Sequence, residues 1–324
     1  MDNKKISVAM TTYNGCHYIL EQLDSIYLQT RKPDEVIICD DRSSDDTIQI
    51  INSFIIEHNL SNWILQINEY NLGWQKNFYK AIGLAKGDII FFSDQDDIWE
   101  LNKIEKLSSL MVRYNLGCLV GGRTIINETG ARNSKREEKR DFSNKLTKVK
   151  LNKSFYDIKT LGCCMCVSRK VADLYLSINY PEGGHDSQCG RIAVLFDSLW
   201  KLDTPVIKYR IHTSNSSGIS GNFSFGSATL QKRLIDIEVQ IEWAKRVTKL
   251  PICNENQKVF LTGILEALEA RHKYLSQTKR LFISMLPYSS FYSGFSMFIG
   301  DWAYKHNINR KLGYIRWNIQ KVLR

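Results

Sequence analysis

No stretch of the chain reaches the roughly 18 consecutive apolar residues that a membrane-spanning helix needs. The opening MDNKKISVAM lacks an apolar core long enough for a secretory signal. There is no pair of CxxC motifs and no paired histidine spacing, so a structural zinc site is not encoded. No GxGxxG follows the first apolar run; TTYNG stands there instead, which disfavours a dinucleotide cofactor. A glycine-rich basic phosphate loop is missing from the same place. Proline is scarce, at 5 in 324 residues. Basic residues are scarce in the first hundred positions, with 8 Lys/Arg against 16 Asp/Glu, and acids are scarce in 271–324, with 1 against 10. These absences predict a chain of the reducing cytosol with buried free thiols and no spanning segment.

What is present is ample core material: 43% hydrophobic and 11% aromatic residues exclude a disordered chain. The net charge of +10 is divided between an acidic front suited to cations and a basic tail suited to an anionic surface. Eight cysteines include Cys163, Cys164 and Cys166 in GCCMCVS, which reads as a strand.

Periodicity in the first hundred residues switches repeatedly between strand and helix. ISVAM (6–10), EVIICDD (35–41), WILQINE (63–69) and DIIFFSD (88–94) read as strands. Helical spacing predicts helices over 16–29, 47–59 and 75–86 between them. Short-looped alternation implies an α/β fold with a mostly parallel, Rossmann-like sheet flanked by helices. Ligands bind such sheets at the carboxyl ends of the strands, which aligns TTYNG, DDRSSDD, NLG and SDQDD along one edge. Further on, 101–114 reads as a helix, 118–122 as a strand, 127–150 as a basic loop, 186–199 as a helix and 201–218 as a strand running into a loop. From 229 the chain reads as helical.

The acids concentrate at two strand ends. In SDQDD, Asp94 and Asp96 are one residue apart, so an extended strand end would direct both to one side. Two such carboxylates repel unless a hard divalent cation, Mn²⁺ or Mg²⁺, lies between them. The plainer alternative is a solvated turn in which Asp97 caps the next helix. In DDRSSDD, Asp45 or Asp46 is explained as a helix cap, whereas Asp40 and Asp41 are not.

ISVAMTTYNG, VIICDDRSSDDT, NLGWQKNFYKAIGLAKGDIIFFSDQDDIW, GHD and YRIHTSNSSG together resemble a family 2 glycosyltransferase of GT-A fold. The likeness is to the rhamnosyltransferase-like branch of bacterial surface-polysaccharide synthesis, and it is strongest over 1–110. The resemblance implies that Thr11 and Tyr13 hold the nucleoside and that Asp41 reads the imide N–H of uracil or thymine. It places Lys76 near base or diphosphate, Asp94 near the ribose, and Asp96 and His212 at the metal. Asp186 matches the catalytic base. Where many relatives carry a bulky aromatic pair after this acid, Ser187 and Gln188 stand here. The plainer alternatives are a cap of helix 186–199 for Asp186, compatible with its role as base, a surface-loop histidine for His185, and a partly buried strand-end imidazole for His212.

Those roles imply a metal-dependent inverting transfer from a UDP- or dTDP-sugar to a saccharide hydroxyl, in O-antigen, capsule or exopolysaccharide assembly. A carboxylate base and no protein nucleophile imply single displacement. The implied acceptor is linked to undecaprenyl diphosphate. The expected domains are a catalytic 1–225, divided at 110 into donor and acceptor halves, and a basic, aromatic helical region 226–324. In that tail Trp302, Tyr304, Tyr314 and Trp317 interleave with Lys and Arg, which suits an anionic membrane surface. The expected location is therefore peripheral, at the cytoplasmic face of the cell membrane. The alternatives are a core-packed tail, a nucleotidyltransferase with an acidic metal site, and a non-catalytic membrane or RNA adaptor, although nucleic acid is not the expected partner.

Overall fold

The computed structural model describes residues 4–131, 142–153, 155, 158, 160–213, 230–277, 282–292 and 295–306. The chain forms two units, Met1–Leu151 with Lys159–Thr213, and Asn152–Ile158 with Ser214–Arg324. The boundary expected near 225 falls in 214–229, outside the described residues, as do Tyr314 and Trp317.

The first unit is built on one sheet. Its strands are β1 (Ile6–Thr12), β2 (Glu35–Asp40), β3 (Trp63–Ile67), β4 (Ile89–Ser93), β5 (Ile98–Trp99), β6 (Cys118–Ile126), β7 (Leu146–Lys148), β8 (Met165–Ser168) and β9 (Leu199–Arg210). They lie in the order β3-β2-β1-β4-β8-β6-β9-β5, with β7 against β9. Helices α1 (Ile19–Tyr27), α2 (Thr47–Glu57) and α3 (Trp74–Leu84) alternate with the first four strands. Crossover helices make neighbouring strands parallel, as β1 is to β2 and β4. β1 is buried along its whole length, as continuous apolar runs in a two-faced sheet must be.

From β1 the chain steps to β2 and β3 on one side and returns to β4 on the other. A crevice opens at such a reversal, at the carboxyl ends of β1, β2 and β4. Beyond β4 the sheet is mixed: β8 runs antiparallel to both β4 and β6, while β6 and β9 are parallel. Helices α4 (Lys103–Arg113), α5 (Arg169–Ile178) and α6 (His185–Leu195) complete this unit.

Several local expectations are corrected. GCCMCVS is not all strand: Gly162–Cys164 is a 3-10 turn and the strand starts at Met165. Ser168 then caps α5, its hydroxyl accepting from the Val171 N–H, a helix not read from the sequence. The 127–150 stretch contains β7 rather than being loop throughout.

The second unit holds α7 (Leu230–Thr248), α8 (Glu255–Ser276), a 3-10 stretch Phe282–Phe291 and α9 (Phe295–Lys305). Asn254 and Gln257 form a capping box at the start of α8. Asp301, the lone acid of the basic tail, is interior: it accepts from Arg233 and Arg271 at 2.6 Å each and from the Tyr292 hydroxyl at 2.6 Å. Two guanidinium groups and a phenol thus hold a carboxylate that would be costly to bury alone. Tyr274, Met285 and Phe298 are buried in this unit, whereas Ile283, Leu286 and Trp302 are exposed.

Candidate active site

The crevice is shaped by two carboxylates that serve the backbone. Asp40 ends β2 and accepts from the Thr12 hydroxyl at 2.7 Å and from the Ser43 N–H at 2.8 Å. Asp41 accepts from Asn68 Nδ2, the Leu72 N–H and the Gly73 N–H at 2.7–2.8 Å. It therefore fixes the NLG turn that starts α3, where Gly73 takes a positive φ of 81°. Asp45 accepts from the N–H groups of Cys16 and Thr47, tying the TTYNG loop to the start of α2. Thr11 is buried in β1 beside Cys39, Tyr13 is exposed on the loop, and Lys76 is exposed on α3.

The DQDD turn follows β4. The strand ends at Ser93, so the two-residue alternation that would align Asp94 with Asp96 does not continue. Gln95 faces the first loop instead: its Oε1 accepts from the Tyr13 N–H at 2.8 Å and its Nε2 donates to the Tyr13 carbonyl at 3.0 Å. A Cβ on Gly15 would lie 2.3 Å from Gln95 Oε1, so this clasp requires glycine.

Asp96 turns toward β9, where its Oδ2 lies 2.8 Å from His212 Nε2. The imidazole is packed on Tyr18, with ring centroids 4.7 Å apart. Arg210, 1% exposed, secures the arrangement. Its Nε donates to the Asp96 carbonyl at 2.9 Å, its backbone N–H to Asp97 Oδ1 at 3.1 Å and its Nη2 to Glu21 at 2.5 Å. Asp97 is buried in this network and caps no helix; α4 begins later, behind Asn102.

Asp186 lies in the first turn of α6 behind Gly184, which occupies the cap position, so the capping alternative for Asp186 is set aside. A carboxylate there is favoured by the helix dipole. His185 is not a surface residue. It is buried, stacked on Phe78 at 3.8 Å and edge-on to Phe92 at 4.8 Å. Both ring nitrogens are buried without a hydrogen bond, and burial lowers the imidazole to about 3, so it stays neutral. Gly162 touches the same ring: a Cβ there would meet His185 Nε2 at 2.5 Å and Asp186 Cβ at 3.5 Å.

Electrostatics join these parts. Burial, then the charges of Asp96 and Asp186, push Asp94 up to about 7. Burial raises Asp186 as well, and burial followed by Asp96 and Asp94 raises Asp97 far more. Lys103, buried under the turn, is lowered to about 8 by desolvation. Its Nζ donates to the Cys163 carbonyl at 2.7 Å and lies 3.4 Å from the Trp99 ring centroid. A site where carboxylates raise one another is one that a divalent cation would relieve, and carboxylate oxygens suit Mn²⁺ or Mg²⁺.

Arg210, Lys103, Cys163 and Trp74 were not legible as site residues. Lys103 carried a signal: with Leu107 and Met111 it falls on the helical stripe that faces the core, where an unpaired charge is out of place. Trp74, 47% exposed, lies over Gly184, where a Cβ would meet its ring at 3.0 Å. Exposure of that ring is invisible in a sequence.

An α/β sheet with acids gathered at its switch-point edge is the architecture of the GT-A fold. The chain belongs to glycosyl transferase family 2, whose model matches residues 7–175. It is 29% identical over 256 residues to the dTDP-rhamnosyl transferase RfbG of Shigella flexneri, covering 74% of this chain and 83% of that one. It is 36% identical over 127 residues to an Escherichia coli UDP-Glc:alpha-D-GlcNAc-diphosphoundecaprenol beta-1,3-glucosyltransferase, across 39% of this chain and 49% of the relative. That match thus spans about half of the E. coli protein. Among solved structures, S. aureus TarS with UDP-GlcNAc matches 86% of this chain and 75% of its own at a TM-score of 0.58 and 19% identity. A mannosyltransferase of Pyrobaculum calidifontis with GDP-Man and Mn2+ matches 99% and 88% at 0.51 and 14%. Membership of the family is what these likenesses show.

Proposed function

We propose that the chain transfers a sugar from a UDP- or dTDP-linked donor to a hydroxyl of a saccharide acceptor, with inversion and with a divalent cation. The observation that carries this reading is the convergence of Asp94 and the Asp96–His212 pair with Asp186 across the crevice. Thr11, Tyr13 and the exposed Lys76 border the donor side. Asp41 gives three of its roughly four lone-pair directions to protein donors, leaving one for the imide N–H of uracil or thymine.

Asp186 takes the proton of the acceptor hydroxyl. As the acceptor oxygen bonds to the anomeric carbon, the bond from that carbon to the diphosphate oxygen breaks on the opposite face, and the diphosphate leaves with the electron pair. Among the described residues the site offers Asp186 as the base, so displacement occurs once and inverts the carbon. A cation at Asp96 and His212 would neutralise charge developing on the diphosphate. His185, neutral and caged by Phe78 and Phe92, holds the start of α6 so that Asp186 faces the crevice.

The E. coli relative's name supports a lipid-diphosphate acceptor. Exposed Ile283, Leu286 and Trp302 in the basic second unit support contact with an anionic membrane face. No helix among the described residues is long and apolar enough to cross a membrane. The test is a panel of UDP- and dTDP-sugars with Mn²⁺, scored by nucleoside diphosphate release. One donor should be turned over and EDTA should stop it; turnover of none, or turnover indifferent to EDTA, contradicts the reading.

A further inference from the structure

Trp74 opens α3, and the turn before it is fixed: Asp41 accepts from the N–H groups of Leu72 and Gly73 at 2.7 and 2.8 Å. A side chain carried on backbone held in this way is presented in one place. The ring meets His185 edge-on, with centroids 6.3 Å apart, but 47% of the residue stays exposed. Its indole N–H donates to no group among the described residues. A large aromatic left half in water has apolar area and a hydrogen bond still to give to a ligand.

What the ring stands beside narrows the ligand. A Cβ built on Gly184 would lie 3.0 and 3.4 Å from two carbons of the six-membered ring of Trp74, and 3.4 Å from Asp186 Oδ1. The indole and the carboxylate thus flank one point, and Gly184, at a φ of 74°, puts no side chain there. Inverting displacement sets the base and the leaving group on opposite faces of the anomeric carbon. The molecule on the base's side is the acceptor. One face of a pyranose offers a patch of C–H bonds rimmed by hydroxyls, which matches an indole in both respects: flat apolar face to the C–H groups, N–H to a hydroxyl oxygen.

We propose that Trp74 is the stacking surface of the acceptor subsite: the pyranose whose hydroxyl Asp186 deprotonates lies with its C–H face on the indole. The contact sets acceptor affinity and leaves the nucleotide untouched. It also selects, favouring an acceptor sugar whose stacking face carries no bulky substituent. Orientation follows from the same contact, because a ring fixed on the indole brings one of its hydroxyls to Asp186 Oδ1 and turns the others away. The inference rests on Asp186 as the base, and it adds the residue that receives the acceptor.

The test uses the full chain with its 7 tryptophans labelled with ¹⁵N at the indole. The signal that disappears in Trp74→Phe belongs to Trp74. Methyl glycosides of N-acetylglucosamine, glucose, galactose and rhamnose are then titrated in, with UDP or dTDP and Mn²⁺ present. At least one glycoside should shift that signal. Trp74→Ala should weaken binding of the same glycoside about tenfold or more, the size of one lost stacking contact, as followed by saturation transfer to its protons. Trp74→Phe, which keeps a flat face without the N–H, should fall between. Nucleoside diphosphate affinity should stay within about twofold in both variants, and in transfer assays the loss should appear in the acceptor KM rather than in kcat. No shift with any glycoside, undiminished glycoside binding in Trp74→Ala, or a loss of nucleotide affinity in its place would overturn the subsite. These readouts need no turnover: a chain that shows the shift but turns over no donor would lose the proposed reaction and keep the saccharide subsite.

Discussion

His212 Nε2 lies 2.8 Å from Asp96 Oδ2, across 116 residues of chain, and Arg210 and Tyr18 hold the two in register. If the pair acts as one cation-holding unit, His212→Ala and Asp96→Ala should each lower Mn²⁺-dependent turnover by about 10²-fold or more, and the double variant should be little worse than either single one. Steady-state kinetics against Mn²⁺ concentration checks this. Losses that multiply would mean the two residues serve separate steps.

Asp41 carries more of the fold than a ligand contact alone would. Asp41→Ala removes the acceptor of Asn68 Nδ2 and of the Leu72 and Gly73 N–H groups, each costing about 1–3 kcal/mol if left unmet. The variant should melt several degrees lower and bind UDP more weakly, and the wild-type preference for UDP over CDP should disappear. A wild type that binds UDP and CDP equally would leave Asp41 its turn-holding role alone.

Gly162→Ala tests the linkage between the cysteine turn and the base. Its new Cβ would lie 2.5 Å from His185 Nε2, and that ring is stacked on Phe78, edge-on to Phe92, and has little room to yield. Overpacking of this kind costs about 1–3 kcal/mol. Thermal melting should show the loss, and kcat should fall while donor binding is retained, because the displaced element carries Asp186. Loss of donor affinity with kcat preserved would contradict that coupling.

Burial raises Asp186 above its ordinary value of 3.8. A general base works only when ionised, so kcat should decline as pH falls through a value above 3.8. The same shift acts on stability in the opposite sense. Its contribution is fully present below the unfolded-chain value and is lost as pH rises through the higher folded value. In Asp186→Asn, the decline of melting temperature on raising pH through that window should be smaller than in wild type. Parallel pH series of kcat and of melting temperature test both; an acid limb at or below 3.8 would contradict the burial of the base.

The donor half was legible because local signals agreed there. Apolar runs, helical spacing and short loops all specified the β1–β4 alternation, and those strands place the DQDD turn at the sheet edge. The acceptor half was less so. The strand in GCCMCVS was read, but β8 is only four residues and its antiparallel pairings with β4 and β6 come from long-range contacts. His185 read as a surface-loop histidine, yet Phe78, Phe92 and Trp74 close around it, and Gly184 leaves room for the Trp74 ring. Asp301 shows the same limit: nothing local distinguishes it from a solvated acid, and only the fold brings Arg233, Arg271 and Tyr292 to it.

The central claim is that Asp186 takes the acceptor proton while the acids of the DQDD turn and His212 serve the donor. The most direct measurement is single-turnover transfer by Asp186→Asn beside donor and Mn²⁺ binding to the same variant. Removal of a general base lowers the chemical step by about 10²–10⁴-fold, and the amide preserves size and helix position. The account predicts that loss with donor and Mn²⁺ affinities within about twofold of wild type. Transfer at the wild-type rate, or a variant whose defect is donor affinity alone, would contradict it.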